Sequence, residues 1–125
     1  MAAVLIVEDE DVLLDMVAAL IEDIGHRPLL ATNGREGLAV LQAEPEPPLL
    51  IISDVMMPLM NGIAFAKAVK ADPRYQHVPI VLMSAAGHAS PEGLSEHFVP
   101  KPFELEELEQ LINQYADGTI SRGAH

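Results

Sequence analysis

The sequence predicts an α/β domain: a doubly wound, five-stranded parallel sheet with helices on both faces. Three observations carry that expectation. Short apolar runs alternate with stretches of helical spacing along the chain. Half of the 125 residues are hydrophobic, enough for one buried core, and the length suits one domain better than two. Aromatic residues make up only 4% and tryptophan is absent, so aliphatic side chains must fill that core.

Val4-Leu5-Ile6-Val7, rich in β-branched residues, reads as a strand buried on both faces. Val12, Leu13, Met16, Val17, Leu20, Ile21 and Ile24 then recur at helical spacing, and Gly25 stops that helix. A weaker strand over residues 28–31 meets a turn at Asn33-Gly34. The second helix carries Leu38 and Leu41 and ends before the proline-rich loop 44–48. Residues 49–53 form a third buried strand, and a loop through Pro58 to Asn61-Gly62 leads into a third helix. That helix ends near Ala71, with Phe65, Ala68 and Val69 facing inward. Residues 79–83 are the fourth strand, and the polar stretch 87–97 has room for one short helix from Ser90-Pro91. A short fifth strand covers 98–100. The last helix, 104–115, places Leu105, Leu108, Leu111, Ile112 and Tyr115 on one stripe. The domain is expected over residues 1–117, with 118–125 a flexible tail.

Nineteen acids against seven bases give a formal charge of −12, which argues against nucleic-acid binding by this domain. The excess is uneven: residues 1–62 carry 11 acids and 2 bases, residues 63–125 carry 8 and 5. The absence of cysteine excludes disulfides, thiolate metal sites and cysteine nucleophiles. No apolar run approaches the ~20 residues of a membrane helix. The apolar start runs into four consecutive acids, unlike a signal peptide. A cytoplasmic domain without membrane contact is the expectation.

Ligands of such sheets gather at the carboxyl ends of the strands. There the sequence places Glu8, Asp9, Glu10 and Asp11 after the first run, Asp54 after the third, Ser84 after the fourth and Lys101-Pro102 after the fifth. Singly, each has a plainer role: the acids start a helix with Asp11 as its cap, Asp54 caps a turn, Ser84 is a loop residue, and Lys101 is solvated. Together they fall on one edge of one sheet. Clustered carboxylates repel unless a cation shares them, and a hard divalent ion such as Mg²⁺ or Mn²⁺ suits oxygen ligands. The lysine supplies a point charge for an anion such as phosphate. The histidines at 26, 77, 88, 97 and 125 show no metal-binding spacing and are assigned to the surface.

Val4-Leu5-Ile6-Val7-Glu8-Asp9, Asp54-Val55-Met56-Met57-Pro58, Asn61-Gly62, Val81-Leu82-Met83-Ser84-Ala85 and Lys101-Pro102-Phe103, in that order, resemble the response-regulator receiver domain of two-component signalling. The resemblance implies the flavodoxin-like form of the sheet and a phosphorelay switch that changes its partner-binding surface. It implies that Asp54 accepts a phosphoryl group from a histidine kinase or His-phosphotransfer protein. Asp9, Asp54 and the backbone carbonyl of Met56 would bind Mg²⁺ directly, and Glu8 through water. Ser84 and Lys101 would each meet a phosphoryl oxygen, Ser84 and Phe98 would form the switch, and the bond before Pro102 would be cis. The output would be read by an unknown downstream protein or an output domain outside this chain.

The stretch from Ser84 to Lys101 is several residues shorter than receivers usually have, so the fourth helix is expected to be short or irregular, within 85–97. Met56 and Ala86 occupy positions that tune the phosphoryl lifetime in the family. Being apolar or small, they imply slow self-dephosphorylation. No enzyme activity is expected beyond the domain's own phosphorylation and dephosphorylation. A phosphohydrolase with an aspartate nucleophile would want an acid where Met56 stands. A receiver-like interaction module without phosphorylation would not need Glu8, Asp9, Asp54, Ser84 and Lys101 intact.

Overall fold

The computed structural model describes residues 2–85 and 95–118. The strands β1 (Ala3–Val7), β2 (Arg27–Ala31), β3 (Leu50–Asp54), β4 (Ile80–Ala85) and β5 (His97–Lys101) form one parallel sheet in the order β2-β1-β3-β4-β5. Among the described residues the helices are α1 (Asp11–Asp23), α2 (Gly34–Ala43), α3 (Gly62–Ala71) and α4 (Leu105–Ala116). The expected short helix from Ser90-Pro91, Ala86, and the tail beyond 118 lie outside the described residues. No described helix is long and apolar enough to cross a membrane.

Alternation along the central strands divides the core in two. Val4, Ile6, Leu50, Ile52, Val81 and Met83 face one side. There they meet Leu14, Val17 and Ile21 of α1 and Leu108, Ile112 and Tyr115 of α4. Leu5, Val7, Ile51, Ile80 and Leu82 face the other side, under Leu41 of α2 and Phe65, Ala66 and Val69 of α3. Both faces of the sheet are covered, which is why these strands read as unbroken apolar runs. Helix α1 stops at Gly25, whose φ of 93° is costly for any residue with a Cβ. The order of β1 and β3 opens a crevice beyond their carboxyl ends, and β1, β3, β4 and β5 all end there.

Some local expectations change. Asn33 and Asn61 are not simple turn residues: each caps a helix, its side chain accepting from Glu36 N and Ala64 N at 2.9 and 2.8 Å. The following glycines, Gly34 and Gly62, are the first residues of α2 and α3. Asp11 opens α1 but does not cap it: Glu10 is the cap residue, without a capping side-chain bond. In α3 the buried alanine is Ala66, and Ala68 is only half-buried. His26 and His97 are half-buried and not simply on the surface. His97 meets the Tyr115 ring edge-on at 5.7 Å, because the first residue of β5 lies under the end of α4. The Tyr115 phenol is pushed up to about 12 by burial, with the nearby charge of Glu96 adding to it.

Candidate functional site

Each candidate side chain comes from a strand end. Glu8 and Asp9 follow β1, and the Glu8 N–H bonds Ala31 O at 3.0 Å, which carries the sheet pairing one residue beyond the strand. Asp54 ends β3 opposite Met83. Ser84 lies opposite Pro100, and Lys101 lies opposite Ala85. Glu8, Asp9 and Asp54 bring carboxylate oxygens within 4.8 Å of one another, with Glu8 and Asp54 buried and Asp9 exposed. Lys101 crosses from the sheet edge to place Nζ 3.0 Å from Glu8 Oε1 and 3.4 Å from Asp54 Oδ1. The Lys101–Pro102 peptide bond is cis.

Glu8 is held by more than the lysine, because its Oε2 accepts the Glu10 N–H at 3.0 Å. Asp54 Oδ1 accepts the Val55 N–H at 2.9 Å, and Oδ2 has no hydrogen-bond partner among the described residues. Ser84 is fully buried, and its hydroxyl also lacks a partner among the described residues. A buried hydroxyl without a bond is costly, and a ligand oxygen arriving at this edge would satisfy it. Phe98 is half-buried against the face that holds Leu82. Met56 projects its side chain into solvent, 60% exposed.

Burial raises the Glu8 carboxyl above its ordinary value, with the Asp54 charge adding, although bonds from Glu10 N–H and Lys101 oppose the rise. Asp54 is likewise raised by burial, against Lys101 and the Val55 N–H, and the charge of Asp9 adds to the rise. Burial of the Lys101 ammonium works against its charge, but the bond to Glu8 and the charges of Asp54 and Glu8 outweigh it and raise the lysine. One ammonium does not neutralise three carboxylates, two of them buried. The donors are all hard oxygens, so the set fits a divalent cation of the Mg²⁺ type.

These shifts set a pH dependence for the metal-free protein. A carboxyl raised in the folded state binds more protons folded than unfolded. Stability from Glu8 and Asp54 therefore falls as pH rises from their ordinary values, 4.5 and 3.8, through the raised ones. Lys101 works the other way at the alkaline end, stabilising below 10.5 and losing that contribution as pH rises through its higher folded value. Thermal melts in chelator between pH 4 and pH 8 should show an acid-side component that Asp54→Asn flattens. An unchanged profile in that variant would remove Asp54 from the explanation.

Sequence reading brought these five side chains to one edge but missed how the β3–α3 loop is held. Gly62 N–H bonds Val55 O at 2.9 Å, and Gly34 N–H bonds Met60 O at 3.0 Å. The repeated Asn-Gly pair was the available signal. Both glycines follow a capping asparagine, and both touch the chain segment that leaves Asp54.

Comparison with known proteins bears on the family and the fold. Residues 4–113 match the family model described as the response regulator receiver domain. Response regulator Rre1 of Synechocystis is 34% identical over 116 residues, 88% of this chain and 49% of that protein. A probable transcriptional regulatory protein of Picosynechococcus is 36% identical over 119 residues, 86% of this chain and 46% of that protein. The chain thus spans about half the length of these relatives. Among solved structures, chemotaxis response regulator CheY4 of Vibrio cholerae is similar with a TM-score of 0.80 and 34% identity, covering 92% of this chain and 98% of that one. The receiver domain of a histidine kinase from Syntrophus aciditrophicus is similar with a TM-score of 0.83 and 26% identity, covering 100% and 97%.

Proposed function

From the premise that this chain belongs to the response regulator receiver domain family of two-component signalling, we propose that Asp54 accepts a phosphoryl group from a partner's phosphohistidine and that this switches the partner-binding surface. One observation supports the reading above the others. A buried carboxylate lies beside a lysine at the ligand edge of the sheet, which also holds a buried serine hydroxyl without a partner among the described residues.

In this reading an Asp54 oxygen attacks phosphorus, an O–P bond forms as the N–P bond to the histidine breaks, and the imidazole leaves with the electron pair and takes up a proton. The product is an acyl phosphate on Asp54. Lys101 moves from Asp54 and Glu8 toward a phosphoryl oxygen, and Ser84 donates its hydroxyl to another. Transfer of this kind needs positioning and charge stabilisation more than covalent participation. Asp9, Asp54 and the Met56 carbonyl would hold Mg²⁺, with Glu8 acting through water. When bound, the ion supplies positive charge for the phosphoryl oxygens.

Signalling follows from the shift of Ser84. Drawn toward the phosphoryl group, it leaves space that Phe98 fills from the neighbouring strand, changing the face beside β5. A groove of about 400 Å³ opens beside Lys101 between α1 and the start of α4, with Leu13, Met16, Phe103 and Leu105 among its apolar walls. The reading extends to a domain over residues 1–117 whose output lies in another protein or another part of a longer one.

The test uses the chain with a small acyl phosphate as donor and intact mass as readout. One added phosphoryl group is expected with Mg²⁺ and none in chelator. Equal labelling in chelator would remove the metal from the account, and no labelling by any donor or histidine kinase would remove the function.

A further inference from the structure

We propose that Gly34, at the start of α2, is a positioning residue for the metal site: its bare Cα and its N–H set the β3–α3 loop that presents the Met56 carbonyl. The inference rests on the reading of Met56 as a metal ligand. Its basis is a contact between two distant segments. The Gly34 N–H donates to Met60 O at 3.0 Å. A Cβ on Gly34 would stand 2.7 Å from Met60 Cγ, 2.8 Å from Met60 O and 3.0 Å from Met60 Cβ.

Gly34 is not there for an unusual backbone angle. Among the described residues, positive φ occurs at Gly25, Gly118 and Leu59 only. A side chain would suit the first turn of a helix, where glycine is a poor former. The space itself is what Met60 requires, and its carbonyl belongs to the backbone, which cannot rotate aside as a flexible side chain can.

The loop has few other freedoms. Its base is closed by Gly62 N–H on Val55 O, and its interior by Met60 N–H on Pro58 O at 2.7 Å. Leu59 stands at φ 67°, a conformation that neighbouring contacts must maintain. Met57 and Met60 pack against the core, and Met56 and Leu59 point out. A push at Met60 therefore travels along a short, closed loop toward the Met56 carbonyl. Mg²⁺ demands near-ideal octahedral geometry, so a shift of a few tenths of an ångström in one ligand is felt.

Gly37 supplies a matched control on the same helix. A Cβ there would meet Phe65 Cε1 at 2.9 Å and Val7 Cγ2 at 3.2 Å, core side chains and not the loop. Gly34→Ala and Gly37→Ala are compared with the parent by thermal melting and by Mg²⁺ titration, read by calorimetry and by the amide shifts of residues 55–62. Gly34→Ala should weaken Mg²⁺ binding roughly tenfold, the scale of losing support behind a metal ligand. Gly37→Ala should lower the melting temperature while leaving Mg²⁺ affinity within about twofold of the parent, since its strain is spent in the core. Equal affinity losses in the two variants, or none in Gly34→Ala, would overturn the positioning role. A parent that binds no Mg²⁺ would instead fail the metal reading itself, and this inference with it.

Discussion

Replacing Lys101 with alanine is expected to slow phosphoryl acceptance by about 10²–10³-fold, the usual cost of removing one donor aimed at developing charge. The same change should destabilise the metal-free protein at pH 7.5 by about 3 kcal/mol, because breaking a buried pair leaves uncompensated charge. The low end of the general range applies here, since the lysine keeps some solvent contact, its side chain 17% exposed, while Glu8 is fully buried. The loss should shrink toward pH 5, where Glu8 and Asp54, already raised by burial, take up protons more readily. Added Mg²⁺ should restore part of it by supplying the missing positive charge. Denaturant melts at the two pH values, with and without Mg²⁺, check all three statements. A stability loss independent of pH would mean that Lys101 acts through packing and not through charge.

Gly62→Ala is expected to be the most disruptive alanine substitution among the described glycines. Its Cβ would overlap the carbonyl oxygen of Asp54 and stand 2.9 Å from Val55 Cα. Both neighbours are backbone at the end of a central strand, so no rotamer change relieves the contact. The cost should be about 3 kcal/mol or more, at the upper end for overpacking. For a chain of this size that is a fall of roughly 10 °C in melting temperature. Whatever folded protein remains should accept phosphate poorly, because relief of the overlap moves Asp54 away from Ser84 and Lys101. A melting temperature within about 3 °C of the parent, on the same scale, would show that the Asp54–Gly62 approach is loose.

Much of this arrangement is readable in the amino-acid sequence. Val4 to Val7 and Leu49 to Ile52 are apolar without interruption because helices cover both sheet faces, and that pattern identifies the central strands. Asp54, Ser84 and Lys101 follow apolar runs directly, and a parallel sheet sends such positions to one edge. The fold class is legible for the same reason, and the receiver family through the resemblance carried by the ordered motifs from Val4-Leu5-Ile6-Val7-Glu8-Asp9 to Lys101-Pro102-Phe103.

What could not be read depends on contacts between segments far apart in sequence. Glu8 opens a run of four acids that looks solvated, yet it is fully buried and paired with Lys101, ninety-three positions later. Asn33-Gly34 and Asn61-Gly62 look alike as turn signals. Only the approach of Met60 to one and Asp54 to the other shows that the glycines start helices and leave room for the loop between them. Ala66 and Ala68 are equally plausible on an inward face until the angle of α3 on the sheet is known.

The decisive measurement is which atom carries the phosphoryl group. After labelling by a small acyl phosphate in Mg²⁺, the product is treated with hydroxylamine, or reduced and digested, and the modified residue is identified by mass. One hydroxylamine-labile group on Asp54 is expected, with an unlabelled Asp54→Asn variant that keeps its fold. A label that survives hydroxylamine, that maps to another residue, or that persists in Asp54→Asn would contradict the reading of Asp54 as the acceptor.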